Sequence, residues 1–140
     1  MKNAITKLTI ATACLAAATG VAAAQTLKAE IPFAFRAGEK VMAPGTYTVR
    51  VANPRHTVTV VNYDARQAAV MVTGPEGTAP KEWRAKGEPV LAFECGGNRC
   101  VLARVWTADS DRAMEIAHRR LGGNEHIALT LVRLQRANGD

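Results

Sequence analysis

Cys95 and Cys100 stand at the two ends of Cys-Gly-Gly-Asn-Arg-Cys, and among the reactive side chains they form the most informative pair. A four-residue hairpin loop over Gly96 to Arg99 would place them directly opposite each other. Opposed Cα atoms in antiparallel strands lie about 4.5 to 5.5 Å apart, within the range a disulfide tolerates. A structural disulfide is therefore expected, worth about 2 kcal/mol because the loop it closes is so short. A redox-active pair is the rival, but C-x-x-x-x-C on a hairpin lacks the helix N-terminus that lowers a thiol pKa. Zinc bound by Cys95, Cys100, His118 and His126 has suitable ligand types. Its spacing fits no finger or ribbon, and a disulfide would consume both sulfurs.

Other chemistries find less support. Ser110 is the only serine, and no G-x-S-x-G turn surrounds it. Its expected role, shared with Asp111, is to cap a following helix. The Asp109-Ser110-Asp111 triplet has too few oxygen ligands for a calcium loop. Glu76, Glu82, Glu88 and Glu94 are acids whose separation nothing fixes. No glycine-rich loop joins a strand to a helix, so no nucleotide or other cofactor is indicated. An enzyme is not the favoured reading.

One stretch looks suited to binding. Gly74 to Glu88 (GPEGTAPKEWRAKGE) reads as a long irregular connection, polar except for Trp83. Trp83 with Lys81, Arg84 and Lys86 would offer an aromatic ring among cations, suited to an anionic or sugar-like partner; the competing expectation folds the ring onto the core.

The elements that must position these residues are mostly strands. Leu27, Ala29, Ile31, Phe33 and Phe35 alternate with Lys28, Glu30, Pro32, Ala34 and Arg36, a strand with one wet face. Pro32 cannot donate to a ladder and predicts an edge or a bulge. Pro44-Gly45 predicts a turn into Thr46 to Ala52. The Val-rich runs His56 to Asn62 and Gln67 to Thr73 predict a hairpin covered on both faces.

Around the cysteines, an unslipped register places Leu91, Phe93, Leu102 and Trp106 on one face, with Arg104 its only charge. Val90, Ala92, Val101, Ala103 and Val105 share the other face with Glu94. Ala113, Ile116, Ala117 and Leu121 recur at helical spacing and predict a short helix over Asp109 to Arg120. A last strand is expected from His126 to Gln135. The fold class read from this pattern is all-β and mainly antiparallel: one small sandwich or barrel of about seven strands plus one short helix.

Ahead of this domain, residues 1–24 have the build of a cleavable signal peptide, helical while it directs export. Lys2 and Lys7 precede an uncharged segment that ends in Ala22-Ala23-Ala24, and cleavage is expected after Ala24. An uncleaved anchor is the rival, but the segment is thin in Leu, Ile and Phe, so no stable membrane span is expected after processing. A lipoprotein acylated at Cys14 is weaker still, because Ala11 stands where Leu is expected.

The remaining 25–140 make a single domain, long enough to bury a core without metals. The apolar fraction of 48% excludes a disordered chain. Loss of Lys2 and Lys7 lowers the net charge from +6 to +4. That modest excess fits a solvated surface, with attraction to polyanions as the sharper alternative. Nucleic acid is not an expected partner behind a signal peptide.

Ile31-Pro-Phe-Ala-Phe35, Gly38 and Val41-Met-Ala-Pro-Gly-Thr-Tyr-Thr-Val-Arg50 together resemble a family of small exported bacterial proteins of unknown function. Its members open with an "IPF.F…G…L.AG.Y.V" pattern after the signal peptide. The resemblance runs loosely to Val105-Trp106; it implies export and a β domain, and it transfers no site residues.

The function expected on these grounds is a non-catalytic periplasmic or secreted β module that binds an envelope protein, a glycan, or a small apolar or anionic ligand. The alternatives are a small redox or metal protein built on Cys95 and Cys100, and a lipocalin-like carrier with an empty interior.

Overall fold

The computed structural model describes residues 25–52, 55–121 and 126–137; the expected signal segment 1–24 lies outside them. Among the described residues the domain is all-β, with eleven strands against an expected seven or so. Two expected strands are split at corners, residues 40–42 add a short one, and an expected helix is itself a strand.

β1 (Gln25–Ile31), β4 (Gly45–Ala52), β5 (Thr57–Asn62) and the first half of β6 (Gln67–Thr78) form an antiparallel run. Their inward residues are the alternating apolar ones: Leu27, Ala29 and Ile31; Tyr47, Val49 and Val51; Val58 and Val60; Ala69 and Met71. The outer face is open, with Val70 and Val72 about two-thirds exposed. The hairpin is thus covered on one side only. Branching at Cβ suits those valines to the strand whether or not they are buried.

β6 then carries the chain out of this run. Its register shifts between Thr73 and Glu76, around Gly74-Pro75, and its second half pairs with β9 (Arg112–Ile116). Proline cannot donate to a ladder, so a bulge is where it fits inside a strand. The expected loop over Gly74 to Glu88 is therefore strand up to Thr78, followed by helix α1 (Lys81–Lys86). Gly87 ends the helix with φ 65 and donates its N–H to the Trp83 carbonyl.

β9 pairs on one side with β6 and on the other with β8 (Arg99–Trp106), which pairs with β7 (Val90–Gly96) and so leads to β10 (Ala128–Arg133). The expected helix over Asp109 to Arg120 is not formed. Ladders on both flanks of β9 outweigh a weak helical spacing, burying Met114 and Ile116 in the main core and Ala113 on the opposite face. Ser110 caps a turn instead, its Oγ accepting the Arg112 N–H at 3.1 Å.

The sheet closes on itself. Its strand order runs β10-β7-β8-β9-β6-β5-β4-β1-β11, with β11 at Gln135–Arg136. Only Leu134 separates β10 from β11, so the two ends of the order join through the chain. Two continuous stretches, β6 and β10–β11, thus each belong to both walls of a small barrel. The N-terminal segment makes another corner: β1 stops at Ile31 and the chain crosses at Pro32. β2 (Phe35–Ala37) then joins the opposite wall, paired with β3 (Lys40–Met42) and in parallel with β8.

Side chains fill the interior. Phe35 packs edge-on against Tyr47 and Phe93, with ring centroids 5.2 and 5.3 Å apart, and Phe33 meets Phe93 at 5.0 Å. At Pro44-Gly45 the backbone comes so close to Asn62 that a Cβ on Gly45 would lie 2.7 Å from its Nδ2. Asn62 is buried, and its Oδ1 accepts the Ala65 N–H in the β5–β6 turn.

A second, smaller core lies on the outer surface, where Trp83 of α1 covers Ala92, Trp106 and Ala113. Trp106 was expected beside Phe93. Instead, Ala92 pairs with Arg104 and Phe93 with Leu102, leaving Ala103 as a bulge. The extra residue reverses the alternation of β8. It turns Val105 inward and Trp106 outward, and places Arg104 at the surface 3.9 Å from Glu115.

Candidate anion-binding cleft

The β7–β8 hairpin anchors the site. Cys95 pairs with Cys100 and Gly96 with Arg99, so the turn itself is the two residues Gly97-Asn98, tighter than the expected four-residue loop. Gly97 has φ 59, as the first position of a primed hairpin turn requires. The cysteines are opposed as expected, with Cα atoms 4.1 Å apart and their sulfurs bonded. Such a bond belongs to an oxidising compartment.

Beside this turn, residues from distant parts of the chain share one face. Arg36 on β2 pairs with Val41 on β3 and with Val101 on β8; Val101 pairs with Glu94 on β7, and Glu94 with Leu129 on β10. Cross-strand partners point to the same side of a sheet, so Val41, Arg36, Val101, Glu94 and Leu129 form one row on the outer surface.

A strap, residues 117–121 after β9, crosses this row. His118 Nε2 lies 3.1 Å from Glu94 Oε2, and His118 Nδ1 lies 2.8 Å from the Ile116 carbonyl. Farther along, Arg119 comes within 3.7 Å of Glu39 at the β2–β3 turn. That second contact is almost fully exposed, so it guides the strap more than it stabilises it.

Between the strap, the β2–β3 hairpin and the Gly97-Asn98 turn lies an open cleft of about 350 Å³. Arg36, Arg99, Arg119 and Arg120 line it, and among the described residues no carboxylate does. Its apolar walls include Val41, Val101 and Leu121. Four arginines border this concave surface, with only Arg119 placed beside a carboxylate, that of Glu39, among the described residues, so its potential is positive. Their planar donor forks match carboxylate and phosphate oxygens.

None of these four arginines was singled out from the sequence. They are spread from position 36 to position 120, and the pairing of β2 with β8, together with the strap after β9, brings them together. One signal was visible: from Arg99 onward every basic residue is arginine.

The stretch expected to bind lies elsewhere. Trp83 is 5% exposed and belongs to the outer core, while Lys81, Arg84 and Lys86 remain exposed around α1. Arg84 Nε donates to the Ala79 carbonyl at 3.1 Å. The ring is thus not presented among the cations; only the cations face solvent.

The disulfide occupies both sulfurs of the conceivable zinc set, and His118 is held by Glu94. Among the described residues no three His, Cys, Asp or Glu side chains gather as a metal site. Ser110 borders a separate polar cleft with Glu76, Asp109 and Arg112, where Gln25 Nε2 donates to Asp109 Oδ2. Among the described residues no helix is long and apolar enough to cross a membrane. No protein-family model, curated protein or solved structure matches the chain.

Proposed function

We propose that this chain is an exported bacterial binding module that takes an anionic ligand in the arginine-lined cleft. Export rests on the signal-peptide pattern of residues 1–24, on the resemblance to small exported bacterial proteins, and on a disulfide suited to the periplasm or the cell exterior. Maturation leaves Gln25, the first residue of β1, as the N-terminus, so the barrel keeps all its strands.

The observation that carries the reading is that Arg36, Arg99, Arg119 and Arg120 line one cleft and that, among the described residues, no carboxylate lines it. Arg119 has Glu39 beside it, and the remaining like charges are costly to hold together until a counter-charge arrives. A packed interior favours this surface site over a ligand held inside the barrel. Among the described residues that line the cleft, none supplies a nucleophile or general base beside the arginines, so binding is the chemistry they support.

Thermal unfolding of the mature domain in phosphate, compared with chloride at equal ionic strength, tests this. A ligand that binds only the folded state raises stability as RT ln(1 + [L]/Kd). Phosphate is expected to stabilise the domain beyond chloride. The excess should vanish in Arg36→Ala/Arg99→Ala and persist in Arg50→Ala/Arg136→Ala, which removes equal charge elsewhere. No phosphate excess, or equal loss in both variants, reduces the cleft to general surface charge.

A further inference from the structure

Resting on that anion-binding reading, we infer that the ligand is amphiphilic: a phosphate carried by an alkyl or acyl chain. The cleft combines two chemistries that a purely ionic site does not need. Its cations are Arg36, Arg99, Arg119 and Arg120, and its walls carry apolar side chains between them.

The register makes the arrangement explicit. Arg36 is flanked in the same cross-strand row by Val41 on one side and Val101 on the other. Val101 is 3% exposed although it faces outward, and it serves as the floor. Val41 is 63% exposed, a branched apolar side chain left facing water beside a guanidinium. Leu121 on the strap is half-buried at the cleft, bringing a further apolar wall. An apolar wall next to fixed positive charge is complementary to a molecule with an anionic end and a hydrocarbon body.

Size and stiffness agree with a small occupant. About 350 Å³ lies near the lower end for ligand sites, room for a headgroup and part of one chain, with the remainder leaving through the open mouth. Phosphate suits four cations better than a carboxylate does, because it offers more oxygens and more charge to divide among the guanidinium forks. One wall is preorganised, since the Cys95–Cys100 bond fixes the turn bearing Arg99 before any ligand arrives. A free alkyl phosphate and a phosphatidic-acid headgroup share this chemistry.

Calorimetric titration of the mature domain with inorganic phosphate, butyl phosphate and octyl phosphate below its micelle concentration separates the possibilities. Each methylene buried tightens binding by up to about fourfold, so octyl phosphate is expected to bind at least about tenfold tighter than inorganic phosphate. Val41→Ser, on an exposed strand position, should cost octyl phosphate about threefold or more, a larger loss than inorganic phosphate suffers. Co-sedimentation with phosphatidic-acid vesicles then identifies the source. Capture that weakens in Val41→Ser marks the lipid headgroup, and octyl phosphate binding without capture marks the free amphiphile.

Equal affinity for all three phosphates, or indifference of octyl phosphate binding to Val41→Ser, overturns the amphiphile while leaving anion binding intact. Failure of every phosphate to bind overturns both.

Discussion

His118 and Glu94 meet at 3.1 Å across the outer face of the barrel, so the end of β9 is tied to β7 over the intervening β8. This tie lays residues 117–121 along the cleft and holds Arg119 and Arg120 at its rim. A segment outside the ladders opens locally at a small fraction of the global cost, and the His118–Glu94 contact, more buried than the Arg119–Glu39 pair, is the stronger of its side-chain ties.

Glu94→Ala should therefore expose the strap to trypsin at Arg119 and Arg120. Losing one hydrogen bond of about 1 kcal/mol raises the open population roughly fivefold, and cleavage in the fast-reclosing regime rises with it. Glu94→Gln, which can still accept a hydrogen bond, should stay closer to the parent. A timed digest read by mass spectrometry decides the matter; unchanged cleavage in Glu94→Ala would mean that the strap is held by other contacts.

Trp83→Ala tests the outer core. The indole covers Ala92, Trp106 and Ala113 at 5% exposure, so truncation should lower unfolding stability by about 3 to 5 kcal/mol. Lys81→Ala/Lys86→Ala, on the same short helix but exposed, should change stability by less than about 1 kcal/mol. Urea titrations of both variants measure the contrast. A Trp83→Ala domain as stable as the parent would return the ring to the surface.

Much of the barrel could be read from residue types, and the failures have identifiable causes. Strict alternation in β1 and β4 marked their inward residues because one face is wet and the other packed. The opposition of Cys95 and Cys100 followed from loop length. Three features resisted. The bulge at Ala103 leaves no mark in the sequence, since alanine fits a paired or an unpaired position, yet it reverses Arg104, Val105 and Trp106. Residues 112–116 carry apolar spacing ambiguous between helix and strand, and neighbours forty residues away decide it. Helix α1 has only Trp83 and Ala85 as apolar residues, too few to show a period. The cleft was illegible because its arginines come from three separate stretches of chain.

Gly45 and Asn62 should show energetic coupling. A Cβ at Gly45 would meet Asn62 Nδ2 at 2.7 Å, so Gly45→Ala forces a buried side chain to move from its bond to the Ala65 N–H. Crowding of this kind costs about 1 to 3 kcal/mol. With Asn62→Ala in place the obstruction is gone, and the penalty of Gly45→Ala should shrink by about 1 kcal/mol or more in a double-mutant cycle. Additive losses would show that the backbone at Gly45, not the contact, sets the cost.

The disulfide and the expected processing give a joint prediction. Native material recovered from the envelope should begin at Gln25, lack Cys14 and show no thiol reactive before reduction. Cys95→Ser/Cys100→Ser should fold but lose about 2 kcal/mol, the chain entropy of so short a loop. Intact mass with thiol labelling checks the first part and denaturant unfolding the second. A native N-terminus at Met1 would defeat the export reading, and strong labelling of both cysteines would defeat the disulfide.

The bulge at Ala103 makes adjacent residues of β8 respond in opposite ways. Arg104 sits at the surface in a loose 3.9 Å contact with Glu115, so Arg104→Ala should cost under about 1 kcal/mol. Val105 is fully buried in the barrel core, and Val105→Ala should cost about 2 kcal/mol through lost burial and the cavity left behind. An unbulged register exchanges these roles, because Arg104 would point inward with Leu102 and Val105 outward. Replacing an inward arginine with alanine would then have the larger effect, so the order of the two losses in one urea series reads the direction of β8 directly.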